Sequence, residues 1–301
     1  MDYDKLIAPD TWEFIRKTAE YYPEDAVDLD IEGQRRVYDA MCKAFHRPHP
    51  AGISTEDRTV DGVPVRIYWA GEPGSTVMYF HGGGFVVGGL ESHDDVCAEI
   101  CAGTGYRVIS VDYRLAPEHR HPAAFRDAWK ATRWAVDHYD QRVVLVGDSA
   151  GGNLAAVLAQ DLRGSGLKLA AQLLIYPACD FDKTRPSYFE NAEAPLLQVK
   201  GMDMVNAMYS PDTAQLHSNP RLAPLLADSL ADLPRAFVAV AQNDPLRDSG
   251  TAYAEALAAA GVSVTQDPGE GLIHGYLRAM EYCDASRERL KQMADWLRLQ
   301  Y

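Results

Sequence analysis

A short glycine-flanked serine segment is the first feature of the chain that could do chemistry. Ser149 lies in the Gly-Asp-Ser-Ala-Gly segment of residues 147–151, directly after the apolar run Val143–Val146. A G-x-S-x-G pattern between a strand and a helix forms a sharp turn that exposes the serine hydroxyl for nucleophilic attack. The competing interpretation is that Ser149 only caps the next helix, but a cap requires no flanking glycines. We therefore predict that Ser149 is a nucleophile.

A serine nucleophile requires a base, and the base requires an acid that orients it. Where the serine lies in such a turn between a strand and a helix, the acid and then the histidine follow it along the chain. Of the nine histidines only His217 and His274 come after Ser149, and only His274 follows the last predicted strand. We predict His274 as the base.

The acid has three candidates. Asp244 follows the predicted strand Ala236–Ala241, at the edge where active-site loops of open α/β sheets lie. Asp248, four residues later, and Asp267, after another predicted strand, remain alternatives. The position favours Asp244.

A glycine run could supply the donors that stabilise a transition state. Gly82–Gly84 follows His81 directly after the predicted strand Thr76–Phe80. Attack on an ester builds negative charge on the carbonyl oxygen, and backbone N–H groups stabilise it; loss of one such donor costs ~10²–10³ in rate. The N–H of Ala150, after the nucleophile, is a further donor. A phosphate-binding loop is excluded, because no Gly-Lys pair and no complete G-x-G-x-x-G is present.

The elements that must position these residues alternate along the chain. The predicted strands are Val65–Trp69, Thr76–Phe80, Arg107–Val111, Val143–Gly147, Gln172–Tyr176, Ala236–Ala241 and Val262–Gln266. The predicted helices between and after them are Asp94–Ala102, Ala123–His138, Ala150–Leu162, Thr251–Ala260 and Ala279–Leu299. Such alternation is typical of crossover connections, so we predict an α/β fold with a mainly parallel sheet covered by helices on both faces.

Two other segments are predicted to be helical. In residues 1–50 apolar side chains recur at helical spacing until Pro48 and Pro50 interrupt the pattern. The connection between Pro177 and Pro234 is too long for a structureless loop, so we predict a helical insertion at Arg185–His217. We expect residues 1–50 and this insertion to form a cap on a catalytic domain of residues 51–301.

Composition limits the partners and the compartment. The 301 residues carry 29 basic and 43 acidic side chains, a formal net charge of −14, which opposes binding to nucleic acid or anionic lipid. Five cysteines without a C-x-x-C pair favour reduced thiols. The N-terminus lacks the pattern of a signal peptide, and no apolar run approaches the ~18 residues of a membrane span. We expect a cytoplasmic protein.

One group of residues has the spacing of metal ligands. Cys42, His46 and His49 are close in sequence, but Pro48 and Pro50 twist the chain and no fourth ligand is evident. We therefore predict neither a metal nor a cofactor.

Four segments together resemble the hormone-sensitive-lipase-like esterases, the bacterial family IV of the α/β-hydrolases: His81–Gly84, Gly147–Gly151, Asp244–Asp248 and His274–Tyr276. The segment Tyr113–Glu118 is also similar, and we expect it to brace the glycine loop through hydrogen bonds. The resemblance runs from about Val65 to the C-terminus. It implies an α/β-hydrolase fold with a helical cap. The residue roles it implies are a catalytic triad and three oxyanion donors: Ser149, Asp244, His274, Gly83, Gly84 and Ala150.

These features predict a metal-independent serine carboxylesterase that forms an acyl-enzyme intermediate. The resemblance favours small esters with short acyl chains. Two alternatives remain: a serine amidase or peptidase on the same scaffold, and a small-molecule-binding relative that has lost catalysis. We expect a small ester as the partner and no binding to nucleic acid or membrane. Whether the protein forms a homodimer is left open.

Overall fold

One mainly parallel sheet of eight strands runs through the part of the chain that the computed structural model describes, residues 1–23, 26, 28–139, 142–167 and 169–299. The predicted catalytic domain ends at residues 300–301, outside the described residues. The sheet has the order β1-β2-β4-β3-β5-β6-β7-β8, in which β2 is antiparallel to β1 and β4 and the remaining pairs are parallel. The strands are β1 Ser54–Val60, β2 Val63–Trp69, β3 Thr76–Phe80, β4 Arg107–Val111, β5 Val143–Asp148, β6 Leu169–Ile175, β7 Arg235–Ala239 and β8 Val264–Asp267.

Helices cover both faces of the sheet. Two further groups of helices stand before β1 and between β6 and β7. Their bounds are α1 Tyr3–Leu6, α2 Pro9–Tyr21, α3 Ile31–Phe45, α4 Asp94–Thr104, α5 Ala123–Tyr139, α6 Ala150–Leu162, α7 Pro186–Glu190, α8 Val199–Tyr209, α9 Thr213–Leu216, α10 Arg247–Ala259 and α11 Asp284–Arg298. The predicted α/β fold is confirmed. None of the helices in the described ranges combines the length and the hydrophobicity that crossing a bilayer requires.

The core has two layers because successive strand residues face opposite sides of the sheet. In β5, Val143 and Leu145 pack into one layer with α5, α6 and α10, whereas Val144 and Val146 pack into the other with α4 and α11. A strand buried on both faces has to be apolar throughout, which is the pattern of β5. The central strands are therefore rigid supports for the loops at their carboxyl ends.

The sequence analysis did not predict β1, the edge strand. Six of its seven residues are polar and exposed, and only Val60 is apolar and buried, so no apolar alternation marks it. It is held instead as a hairpin with β2, joined by Asp61 and Gly62 at φ 48° and φ 82°. An Asp-Gly pair is a strong hairpin signal, and it could have revealed the strand.

The helices at the C-terminal end differ from the prediction in their bounds. The last helix begins at Asp284 and not at Ala279, because Tyr276–Ala279 form a short 3₁₀ turn whose apolar side chains are buried in the core. Helix α10 begins at Arg247 and not at Thr251. Both differences fall where a loop at the carboxyl edge of the sheet enters a helix.

Three short helices, α7 to α9, occupy the segment for which the sequence predicts an insertion. The hydroxyl of Tyr3 in the first helix donates a hydrogen bond to Asn191 Oδ1 (3.4 Å), so the two predicted cap segments touch. Arg35 in α3 donates to the carbonyl oxygens of Val86 and Ala116, both 2.9 Å away. These contacts bring the N-terminal helices to the segments that follow β3 and β4.

Candidate active site

Ser149 stands at the turn between β5 and α6 in a backbone conformation that few non-glycine residues adopt, with φ 55° and ψ −117°. The flanking glycines are required sterically: a Cβ on Gly147 would lie 2.2 Å from the Gly151 carbonyl oxygen, and one on Gly151 would lie 1.8 Å from that of Phe80. The Ser149 side chain makes no capping hydrogen bond to α6. The alternative of a simple helix cap is therefore wrong.

The imidazole of His274 connects the serine to a carboxylate. Its Nε2 lies 2.9 Å from Ser149 Oγ, and its Nδ1 lies 2.7 Å from Asp244 Oδ2. Because a carboxylate oxygen only accepts hydrogen bonds, Nδ1 carries the proton and Nε2 presents its lone pair to the serine hydroxyl. This tautomer is the one that a general base for Ser149 requires.

Asp244 is fully buried beyond the end of β7, and its second carboxylate oxygen accepts the N–H of Leu246 (2.8 Å). The two alternative acids lie elsewhere. Asp248 accepts the N–H of Ser187 (2.7 Å) and pairs with Arg247, whereas Asp267 pairs with Arg289. The structure therefore brings Asp244 to His274.

The glycine loop after β3 is shaped by residues in left-handed conformations, with Gly83 at φ 115° and Gly84 at φ 61°. A side chain at Gly83 is excluded, since a Cβ there would lie 2.2 Å from the Val87 carbonyl oxygen. No hydrogen bond within the described ranges uses the amide N–H of Gly83, Gly84 or Ala150. These N–H groups are available to an oxyanion.

A buried carboxylate that the sequence analysis did not assign to the site holds this loop. Asp148 Oδ1 accepts the N–H of Gly82 and the hydroxyl of Tyr79, each at 2.8 Å. Its Oδ2 lies 3.3 Å from the Tyr176 hydroxyl and 3.3 Å from His93 Nε2. Burial alone would raise the pKa of Asp148, but the charge of His93 and the hydrogen bonds with His93 and Tyr79 hold it well below its ordinary value. The sequence signal that could have identified Asp148 was an acidic residue at the end of an otherwise apolar strand.

The segment Tyr113–Glu118 braces the same loop, as the sequence predicts. The hydroxyl of Tyr113 donates to the His81 carbonyl oxygen (2.6 Å), and its ring stacks on the imidazole with 4.2 Å between centroids. The N–H of Ala116 donates to the Phe85 carbonyl oxygen (2.8 Å). Burial and the nearby His93 lower the pKa of His81 to about 4, so this ring is neutral near pH 7.

Helix α8 lies directly above the glycine loop. A Cβ on Gly84 would lie 2.5 Å from Val205 Cγ1, so this valine touches the loop. At the end of the helix, Tyr209 stacks on Phe85 with 3.7 Å between ring centroids. Side chains from a helix of the predicted insertion therefore cover the glycine loop.

Comparison with known proteins identifies the family. A family model described as alpha/beta hydrolase fold matches residues 77–278. Esterase LipI of Mycobacterium tuberculosis is 46% identical over 272 residues, which cover 84% of this chain and 83% of LipI. Ethyl acetate hydrolase of Pseudomonas putida is 33% identical over 300 residues, 94% of this chain and 93% of that protein.

Solved structures agree in fold and activity class. An esterase from the bacterial hormone-sensitive lipase family has a TM-score of 0.89 and 29% identity, covering 97% of this chain and 98% of that one. A thermostable esterase from Pseudomonas putida has a TM-score of 0.91 and 29% identity, covering 98% of each chain. The chain belongs to the hormone-sensitive-lipase-like, bacterial family IV carboxylesterases of the α/β-hydrolase fold.

Proposed function

We propose that Ser149, His274 and Asp244 are the catalytic triad of this carboxylesterase and that its substrates are small esters with short acyl chains. The observation that carries the proposal is the position of one imidazole within 2.9 Å of the serine hydroxyl and 2.7 Å of a buried carboxylate. That geometry suits proton removal from Ser149 by a base whose tautomer Asp244 fixes.

The reaction proceeds in two halves. His274 takes the hydroxyl proton as Ser149 Oγ attacks the ester carbonyl, and the protonated imidazole then gives the proton to the departing alcohol. Water, activated by the same imidazole, attacks the acyl-enzyme and releases the acid. In both halves the N–H groups of Gly83, Gly84 and Ala150 stabilise the negative oxygen.

The short-acyl preference is supported by the helix above the site. Residues 1–50 and the insertion at 185–217 form the cap in this proposal, and Val205 in α8 touches Gly84, one of the proposed oxyanion donors. In this proposal Val205 limits the space for the acyl chain on Ser149, because it lies against the loop that binds the carbonyl oxygen. Among the relatives, one is named for hydrolysis of ethyl acetate, a small short-chain ester.

The test combines a variant with a substrate series. Ser149→Ala should lower activity by around 10⁶ and leave the thermal unfolding temperature nearly unchanged, since only the oxyanion contribution remains. Retention of more than about a hundredth of the rate would contradict the assignment. p-Nitrophenyl esters of increasing chain length should show a decline beyond hexanoate, and the p-nitroanilide that matches the best ester should react far more slowly.

A further inference from the structure

Two histidines and an aspartate that do not belong to the proposed triad converge where the segment after α3 meets the start of α4. Nε2 of His46 lies 2.9 Å from Asp94 Oδ2, and Nε2 of His49 lies 2.5 Å from the same oxygen. The three ligand atoms all lie within 4.8 Å of one another. Cys42, which the sequence groups with these histidines, is instead buried in the core layer beside α4.

The separations are close to those that a small tetrahedral ion imposes. Bonds of about 2.0–2.2 Å to imidazole nitrogen and carboxylate oxygen place neighbouring ligand atoms about 3.3 Å apart. The observed distances of 2.9 Å and 2.5 Å are shorter by less than about 1 Å, which small ring rotations can supply. The side chains of His46 and His49 are 33% and 28% exposed, so an ion can reach them from solvent.

Hydrogen bonds fix the carboxylate of Asp94 with one oxygen towards the two histidines. Asp94 Oδ1 accepts the hydroxyl of Tyr68 (2.7 Å) and Nη1 of Arg66 (2.9 Å), which leaves Oδ2 to face the histidines. Carboxylates that bind metals are commonly fixed by such hydrogen bonds. The charge of Arg66 is offset by ion pairs with Asp57 (2.6 Å) and Glu91 (2.8 Å).

We propose that His46, His49 and Asp94 bind Zn²⁺, or a divalent ion with the same ligand preference, with water as the fourth ligand. Two imidazoles and one carboxylate are a donor set that suits this class of ion. Without metal each Nε2 must carry a proton to donate to Oδ2; with metal both nitrogens present lone pairs to the ion. The ion fastens residues 46–50, between the N-terminal helices and the sheet, to α4.

The experiment measures zinc binding to the full chain after removal of metal with a chelator. Calorimetric titration with zinc chloride should show one ion per chain. His46→Gln and His49→Gln should each raise the Kd by at least about a hundredfold. Loss of a residue that only hydrogen-bonds to a metal ligand already costs up to about a hundredfold in affinity, and loss of a ligand should cost at least as much. Glutamine keeps an N–H donor for Asp94, so both variants should fold. His119→Gln, at an exposed histidine outside the cluster, is the matched control and should bind like wild type.

A second readout is stability. Zinc at a hundredfold above its Kd should raise the unfolding temperature by about 4 °C in wild type and in His119→Gln but not in the other variants. Cobalt(II) in place of zinc should give a spectrum without thiolate-to-metal charge transfer. The proposal is overturned by no saturable binding at one ion per chain, by equal affinity in all four proteins, or by a thiolate charge-transfer band.

Discussion

Asp244→Asn tests the tautomer argument, because the structure determines how the new amide must turn. Asp244 Oδ1 accepts the N–H of Leu246, so the asparagine carbonyl oxygen stays there and its NH₂ group takes the place of Oδ2. That NH₂ can only donate, so His274 Nδ1 has to accept and the ring proton moves to Nε2. A protonated Nε2 cannot take the proton of Ser149.

The magnitude follows from this change of tautomer. The equivalent substitution in a Ser-His-Asp triad lowers kcat by about 10⁴, or about 5.4 kcal/mol of transition-state stabilisation. The assay is hydrolysis of p-nitrophenyl acetate at several pH values, with circular dichroism to establish that the variant is folded. We expect KM to change much less than kcat, because Asp244 is fully buried and exposes no surface to a substrate.

Asp248→Asn is the matched control, since Asp248 was the leading alternative and lies four residues away. Its carboxylate binds the N–H of Ser187 and the guanidinium of Arg247, not His274. We expect its kcat to stay within about threefold of wild type. More than a tenth of wild-type kcat in Asp244→Asn, or a 10⁴-fold loss in Asp248→Asn, would refute the reasoning.

Three further outcomes are expected. Val205→Ala should raise the ratio of kcat/KM for p-nitrophenyl octanoate over acetate by about tenfold, because it removes the side chain that touches Gly84; an unchanged ratio would show that α8 does not limit the acyl chain. Asp148→Ala should lower kcat at least ~10²-fold on p-nitrophenyl acetate, since it removes the acceptor that holds Gly82; a kcat near wild type would contradict that positioning role. The pKa of His81 is about 4 when folded and 6.5 ordinarily, so the unfolded chain binds more protons between these values. The free energy of unfolding should therefore fall by up to about 3 kcal/mol as the pH drops from about 6.5 to about 4. Denaturant titrations at pH 7 and 4.5 measure this loss, which His81→Asn should lack; an equal loss in both proteins would exclude His81 as its source.

The triad candidates could be predicted because each follows a strand that the hydrophobic pattern of the sequence predicts. Parallel strands bring their carboxyl ends to one edge, so Ser149 after β5 and Asp244 after β7 had to lie near each other. The choice between Asp244 and Asp248 was not decided by sequence alone. It depends on the turn in which Leu246 binds Asp244 and on the contact of Asp248 with α7, and neither leaves a sequence pattern.

Contacts between distant segments were the part that the sequence could not supply. Asp148 entered the sequence analysis only as part of the segment Gly147–Gly151, because its partners Tyr79 and His93 are 69 and 55 residues away along the chain. Asp94 is 45 residues beyond His49, and only the packing of α4 against the segment after α3 brings them together. The strand β1 was missed for a related reason, since pairing with β2 holds it and not its own hydrophobic pattern. The cytoplasmic location stays a prediction, and the homodimer stays open.

The most direct test of the central claim, that one imidazole activates Ser149, is covalent labelling with a fluorophosphonate followed by peptide mass spectrometry. The account predicts one phosphonyl group per chain, attached to Ser149, and a labelling rate reduced by several orders of magnitude in His274→Ala. A label on another residue, no label on Ser149, or an unchanged rate in His274→Ala would contradict it.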